Sequence, residues 1–206
     1  MMPRPGTLLA LGLLAACAAP QQATWSTVRP PEAYLETLPT AAVISVNGVE
    51  VGRSPLAFPV PDAAKRYAIR AAAPGFDPLD VTLEGSKLAG TRLDLVLRPA
   101  GFGTQRQLVA DDPLGLLQAA MALLRADRPR DALAFAQASL AAGNTAQAHR
   151  VAGEAYRRLG DRNRAIQEYS IYLTDAPDAP DRKAVEAAIA AARKDIDMTQ
   201  PRQGLE

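Results

Sequence analysis

Few side chains of this chain could carry covalent or metal chemistry. The 206 residues include a single cysteine, Cys17, and a single histidine, His149. A structural zinc site takes about four Cys or His ligands, and one cysteine cannot close a disulfide within the chain. No serine has a histidine and an aspartate at the spacing of a catalytic triad, and no glycine-rich phosphate loop is present. We therefore expect a protein that is not an enzyme, with no metal, cofactor or small-molecule substrate.

The charge composition argues against nucleic acid as a partner. Lys and Arg total 23 and Asp and Glu total 22, which gives a formal net charge of +1. Proteins that bind DNA or RNA neutralise phosphates with a clustered excess of basic side chains. No such excess exists here, so binding to nucleic acid is not expected.

The chemistry that the sequence does indicate lies at Cys17. Arg4 precedes an apolar run, Leu8 to Ala16, which is shorter than the roughly 20 residues that span a bilayer and is typical of a signal peptide. The run ends in Leu14-Ala15-Ala16-Cys17, which resembles the bacterial lipobox. The resemblance implies that residues 1–16 are removed and that lipid is attached to Cys17. The alternative is an ordinary signal peptide followed by an unmodified cysteine.

The residues after Cys17 predict where the protein is held. Ala18 stands where many lipoproteins of the inner membrane have Asp, so the expected location is the cell envelope, lipid-anchored at the outer membrane and facing the periplasm. Stable anchoring takes about two acyl chains or more. Prolines and polar residues without visible periodicity predict a tether over residues 17–40.

Residues 41–100 alternate apolar and polar side chains, which predicts strands with one buried face. The alternation is clear for Tyr67, Ile69 and Ala71, and Asn47-Gly48 is typical of a two-residue hairpin turn. The segments Gly52-Arg53-Ser54-Pro55 and Ala73-Pro74-Gly75-Phe76 resemble the two turns of the PEGA domain. The resemblance implies a small antiparallel β-sandwich without catalytic residues.

Residues 112–198 follow a linker at 101–111 and predict helices, with Asp112-Pro113 as a helix start. A repeat with a spacing of 33 aligns residues 125–132 with residues 158–165. Its second copy resembles the tetratricopeptide repeat through the following residues: Gly153, Tyr156, Ala165, Tyr169 and Pro177. The resemblance implies helical hairpins at about 113–145 and 146–179, a capping helix at about 180–196 and a tail at 199–206. The expected fold class is thus α+β and multidomain, a β-sandwich followed by a short all-α array.

In tetratricopeptide arrays the first helix of each pair lines a groove, which implies a partner-binding surface here. The candidate binding residues are Arg125, Gln147, Arg150, Glu154, Arg157 and Arg158, beside the apolar Leu117, Met121 and Leu124. Arginine pairs with carboxylates in a bidentate manner, so the expected ligand is a peptide with an acidic or a C-terminal carboxylate end. Alternatively, Leu117, Met121 and Leu124 belong to the core and the arginines form a solvated face.

Together these features predict an envelope lipoprotein that acts as a scaffold or assembly adaptor for an envelope protein partner. In the alternative, the β-domain binds the cell wall, with contacts to peptidoglycan or another glycan, and the helices oligomerise. His149 occupies an aromatic packing position of its repeat, so we expect a buried structural role for it.

Overall fold

The computed structural model describes residues 29–102, 107–143 and 145–199. The signal peptide, Cys17 and most of the predicted tail lie outside these residues. The described strands are β1 (Glu32–Leu38), β2 (Val43–Val46), β3 (Val49–Arg53), β4 (Leu56–Pro59), β5 (Arg66–Ala72), β6 (Leu79–Glu84) and β7 (Arg92–Val96). The helices are α1 (Gly85–Leu88), α2 (Pro113–Arg125), α3 (Pro129–Ala142), α4 (Ala146–Arg158), α5 (Arg162–Asp175) and α6 (Arg182–Thr199). Strands come first and a helical array follows, so the predicted α+β class is confirmed.

One sheet has four antiparallel strands in the order β3-β2-β5-β6. The predicted hairpin joins β2 and β3, where Asn47 has φ 51° and Gly48 has φ 80°. Both values lie in the left-handed region, which Asn and Gly tolerate best. Ile44 on β2 and Ile69 on β5 are almost fully buried, so the alternation in the sequence identifies the face that meets the core.

The second sheet corrects the predicted tether. Residues 32–38 form β1, the middle strand of the order β4-β1-β7, so a spacer over residues 17–40 is wrong for its last part. Ala33, Leu35 and Thr37 are the buried residues of β1, and the Thr37 hydroxyl donates to the Pro39 carbonyl oxygen at 2.6 Å. Small and polar residues at buried positions hide the alternation from a search for large apolar side chains.

The pairing of β1 also corrects the predicted antiparallel sandwich. β1 is antiparallel to β4 but parallel to β7, with Tyr34 opposite Arg92 and Leu38 opposite Val96. Parallel neighbours need a long connection, and here every other strand of the β region lies between the two in the chain. The two sheets contribute to one hydrophobic core.

The helical half consists of two helical hairpins followed by a single helix, α6. α2 packs on α3, α4 packs on α5, and α6 packs on α5. The helix starts follow from the sequence, because Asp112, Thr145 and Asp161 each accept a hydrogen bond from a backbone N–H three residues ahead. Among the described residues, no helix is long and apolar enough to cross a membrane.

The two halves are joined through the start of α3. Phe76 in the turn after β5 stacks on Phe135 of α3 with ring centroids 5.9 Å apart. The Arg128 guanidinium lies 4.5 Å from the centre of the Phe76 ring and donates to the carbonyl oxygens of Pro74 and Gly75 at 3.0 Å each. One core cluster accordingly extends from the sheets into α2, α3 and α4.

Candidate functional site

A groove of about 350 Å³ lies between helices α2, α4 and α6. The small residues of the helix hairpins let the helices approach closely: a Cβ placed on Gly153 would lie 2.7 Å from the Tyr169 ring. The groove is lined by Met121, Leu124, Arg125, Arg150, Val151, Glu154, Tyr169, Asp181, Ala184, Val185 and Ala188. The capping helix is therefore a wall of the groove as well as a cover for the end of the array.

The floor of the groove is apolar and partly open to solvent. Leu117 and Leu124 are each 8% exposed, which supports the alternative in which these leucines belong to the core. Met121, by contrast, is 40% exposed and Leu114 is 62% exposed. Of these four α2 side chains, Met121 and Leu124 line the groove, so the exposed apolar surface that a ligand could cover there belongs to Met121.

Most of the predicted binding arginines are held by carboxylates of the chain itself. Arg150 on α4 forms an ion pair with Asp181, just before α6. Arg157 and Arg158 both pair with Glu154, at 2.7 Å and 2.8 Å. The Arg150–Asp181 pair therefore ties α4 to the start of α6, whereas the pairs of Arg157 and Arg158 with Glu154 lie within α4. A ligand carboxylate would have to displace an existing pair to bind any of these arginines.

Glu154 is the centre of this network. Besides the two arginines, it accepts a hydrogen bond from the Tyr169 hydroxyl at 3.0 Å. The hydrogen bond from Arg157 is the largest cause of a lowered pKa, and with those from Arg158 and Tyr169 it brings the pKa of Glu154 to about 2 despite partial burial. Glu154 thus remains ionised at neutral pH and holds α4 against α5.

The lowered pKa of Glu154 predicts a loss of stability in acid. Its ionised form stabilises the folded state fully above the ordinary value of 4.5, and this contribution decreases as the pH falls towards about 2. We expect Glu154→Gln to lower the unfolding temperature at pH 7 and to weaken its dependence on pH between about 5 and 2. Thermal unfolding at several pH values checks this.

The matched control for the acid prediction is Glu186→Gln. Glu186 pairs with Arg182 on the exposed side of α6 at 2.8 Å, and exposed pairs of this kind contribute about 0–1 kcal/mol. An acid profile of Glu154→Gln that matched the wild-type profile would contradict a stabilising role for the Glu154 network.

The remaining predicted residues are placed differently. Arg125 lies at the groove rim, where its Nε donates to the Met121 carbonyl oxygen at 3.4 Å; within the described residues no carboxylate lies at ion-pair distance from it. Gln147 is exposed on the first turn of α4 and is not part of the lining, and Arg157 lines a second hollow beside Arg162. The groove therefore brings together Arg125, Arg150 and Glu154.

Sequence reasoning missed Asp181 and the Tyr169 hydroxyl as polar groups of the groove. Asp181 accepts from the Tyr172 hydroxyl at 2.5 Å, and this bond, followed by Arg150, lowers the pKa of Asp181. The Pro180-Asp181 pair at a helix start was the available signal, but it indicates a cap rather than a partner 31 residues away.

His149 packs between the two helices of the second hairpin and does not line the groove. Its Nδ1 lies 2.7 Å from Oε2 of Glu168, and both side chains are largely buried between α4 and α5. This pair joins the two helices of the second hairpin outside the groove lining.

Comparison of the chain with protein-family models finds no match, and comparison with curated proteins finds none either.

Proposed function

We propose that this protein is a lipid-anchored adaptor of the bacterial cell envelope, without enzymatic activity, that binds a protein partner in the groove between α2, α4 and α6. The observation that carries the proposal is an apolar floor beside an arginine without a carboxylate partner among the described residues. Met121 supplies exposed apolar surface and Arg125 supplies the available charge. The sequence around Cys17 supports the anchor, which we place at the outer membrane facing the periplasm.

The chemistry of the groove favours a peptide segment as the ligand. A volume of about 350 Å³ lies at the lower end of the range of roughly 300–1,000 Å³ for ligand pockets. It has room for a few apolar side chains between Met121 and Val185. A carboxylate of the partner next to those side chains would meet Arg125, which can bind it through two parallel hydrogen bonds.

The anchor and the groove act together in this proposal. Lipid on Cys17 would confine the protein to the membrane surface, and the chain between Cys17 and β1 would set the distance over which the groove can search. Confinement of this kind raises the effective concentration of a partner in the same membrane. A modest groove affinity is then sufficient for stable capture.

The test is affinity capture from detergent-solubilised envelopes with a Met121→Glu/Arg125→Glu variant. Both side chains are exposed, so the variant is expected to fold, and it removes the apolar surface and reverses the charge. We expect recovery of a discrete partner protein to fall about tenfold or more, since central contacts of this kind dominate binding. Quantitative mass spectrometry of the captured proteins provides the measurement.

The control variant is Arg130→Glu/Met198→Glu, which makes the same changes at exposed positions outside the groove. It should recover the partner as the wild type does. If instead all three proteins retain peptidoglycan fragments equally and no protein depends on the groove, the adaptor proposal is overturned in favour of wall binding by the β half.

A further inference from the structure

Strand β6 has an open hydrogen-bonding edge. The Asn47 N–H donates to the Ala68 carbonyl oxygen at 2.8 Å, so the backbone groups of Ala68 point towards β2. In an antiparallel strand the N–H and C=O of one residue point to the same side, and those of the next residue point to the opposite side. The backbone groups of Ile69 therefore point towards β6, where Ile69 pairs with Val81. It follows that Asp80, Thr82 and Glu84 direct their backbone groups away from the sheet.

The outward groups of β6 have no backbone partner within the described residues. The other outer strands are better protected. β4 is short and ends in Pro59, β3 has an irregular register opposite Ile44 and Ser45, and the Val96 carbonyl oxygen at the end of β7 accepts from Gln107 at 2.8 Å. A six-residue outer strand without such protection is a template for pairing with another chain.

We propose that β6 pairs in an antiparallel manner with β6 of a second copy of this chain, with Val81 on the two-fold axis. Such an interface is isologous, because the same strand is used by both copies. The two four-stranded sheets would continue across the axis as one sheet of eight strands.

The sequence of β6 is self-complementary in this register. Asp80 of each copy lies opposite Thr82 of the other, and these are the residues whose backbone groups point outward. Four backbone hydrogen bonds form without placing like charges opposite each other. A shift that centres the pairing on Thr82 would place Asp80 opposite Glu84, which is unfavourable, so charge selects the register centred on Val81.

The surroundings of β6 also suit a second copy. Arg70 on β5 pairs with Asp80 at 2.9 Å, and Arg66 lies opposite Glu84 in the register, so the acidic side chains have basic neighbours. On the inner face, Leu79, Val81 and Leu83 are only half-buried, whereas Ile69 on the neighbouring strand is 1% exposed. Pairing would cover the apolar side chains that the sheet edge leaves partly open.

Cysteine cross-linking tests the pairing and its register. In the full chain with Cys17→Ser, Val81→Cys would place two thiols in a pair without direct backbone hydrogen bonds, with Cα atoms about 4.5 Å apart. A disulfide spans about 4.4–6.8 Å between Cα atoms. We expect mild oxidation to give a disulfide-linked dimer on a non-reducing gel. The control Leu83→Cys should give at least fivefold less dimer, because Leu83 lies opposite Leu79 and not opposite itself.

Thr82→Pro distinguishes edge pairing from random collision. The Thr82 N–H points away from β5, so proline leaves the β5–β6 ladder intact, and the unfolding temperature should change by no more than a few degrees. In the Val81→Cys protein, the added Thr82→Pro substitution should abolish the cross-link. In the otherwise native chain, Thr82→Pro should halve the mass that light scattering measures in detergent. Equal cross-linking at positions 81 and 83, a cross-link that survives Thr82→Pro, or a monomeric native chain would overturn the proposal.

Discussion

Phe135→Ala is expected to lower the free energy of unfolding by about 3–5 kcal/mol, the usual range for deleting a buried aromatic ring. Phe135 is fully buried, and its ring lies nearly parallel to that of Phe76, with 9° between the planes. The cavity would open where α3 meets the turn after β5. Arg128 would then lack part of the support for its stacking on Phe76.

Urea unfolding measured by circular dichroism checks both the size and the location of the effect. The wild type should lose strand and helix signals together, because one core joins the two halves. The variant should lose them in separate transitions. Phe58→Ala is the control, since Phe58 is half-buried in β4 and its ring contacts Tyr67 of β5. A loss below 1 kcal/mol with a single transition would show that the junction does not depend on Phe135.

Gly153→Val is expected to destabilise the helical half by about 3 kcal/mol, at the upper end of the usual range for overpacking. Any Cβ at this position would lie 2.7 Å from Cδ1 of the Tyr169 ring. The ring would have to move, and its hydroxyl would leave Glu154. Gly153→Ala should cost less, because alanine recovers about 1 kcal/mol of helix propensity.

The control for the glycine prediction is Ala187→Val on the exposed side of α6. It introduces the same side chain into a helix without a facing ring, so a cost of about 0.5 kcal/mol is expected from propensity alone. Calorimetric unfolding of Gly153→Val, Gly153→Ala and Ala187→Val measures the loss of stability that each substitution causes. A Gly153→Val protein as stable as Ala187→Val would mean that α4 and α5 can separate without loss.

The helical half could be predicted closely because its signals are local. Asp112 caps the helix that it begins, Gly153 lies against the helix that follows its own in the chain, and the spacing of 33 residues repeats one helical hairpin. The structure ends α3 at Ala142 and begins α4 at Ala146, close to the predicted division between repeats. Whether this array belongs to the tetratricopeptide family stays a prediction.

β1 could not be predicted in the same way because its stability comes from distant strands. Leu35 is its one large buried aliphatic side chain, between Ala33 and Thr37, and nearby prolines give the segment the composition of a linker. Its parallel neighbour β7 begins more than 50 residues later. Pairing over that distance leaves no periodic signal in either segment.

The candidate site was predictable in its helices but not in its charges. α2 and α4 contribute to the groove, and of the six candidate residues Arg125, Arg150 and Glu154 are in its lining. The net charge of that surface depends on Asp181, which reaches Arg150 from the start of the capping helix. Ion pairs between separate helices follow from packing, and sequence spacing alone does not reveal them.

The parallel pairing of β1 and β7 has a mechanical consequence. The chain enters β1 at Glu32 and leaves β7 after Val96, so a pull between the N-terminal segment and the helices acts on opposite ends of two parallel strands. Their five paired positions are then loaded in shear, and the hydrogen bonds must fail together. Resistance of this kind is set by the unfolding rate under force. The order of the strands thus makes the β half a force-bearing link between whatever holds the N-terminus and whatever the helices hold.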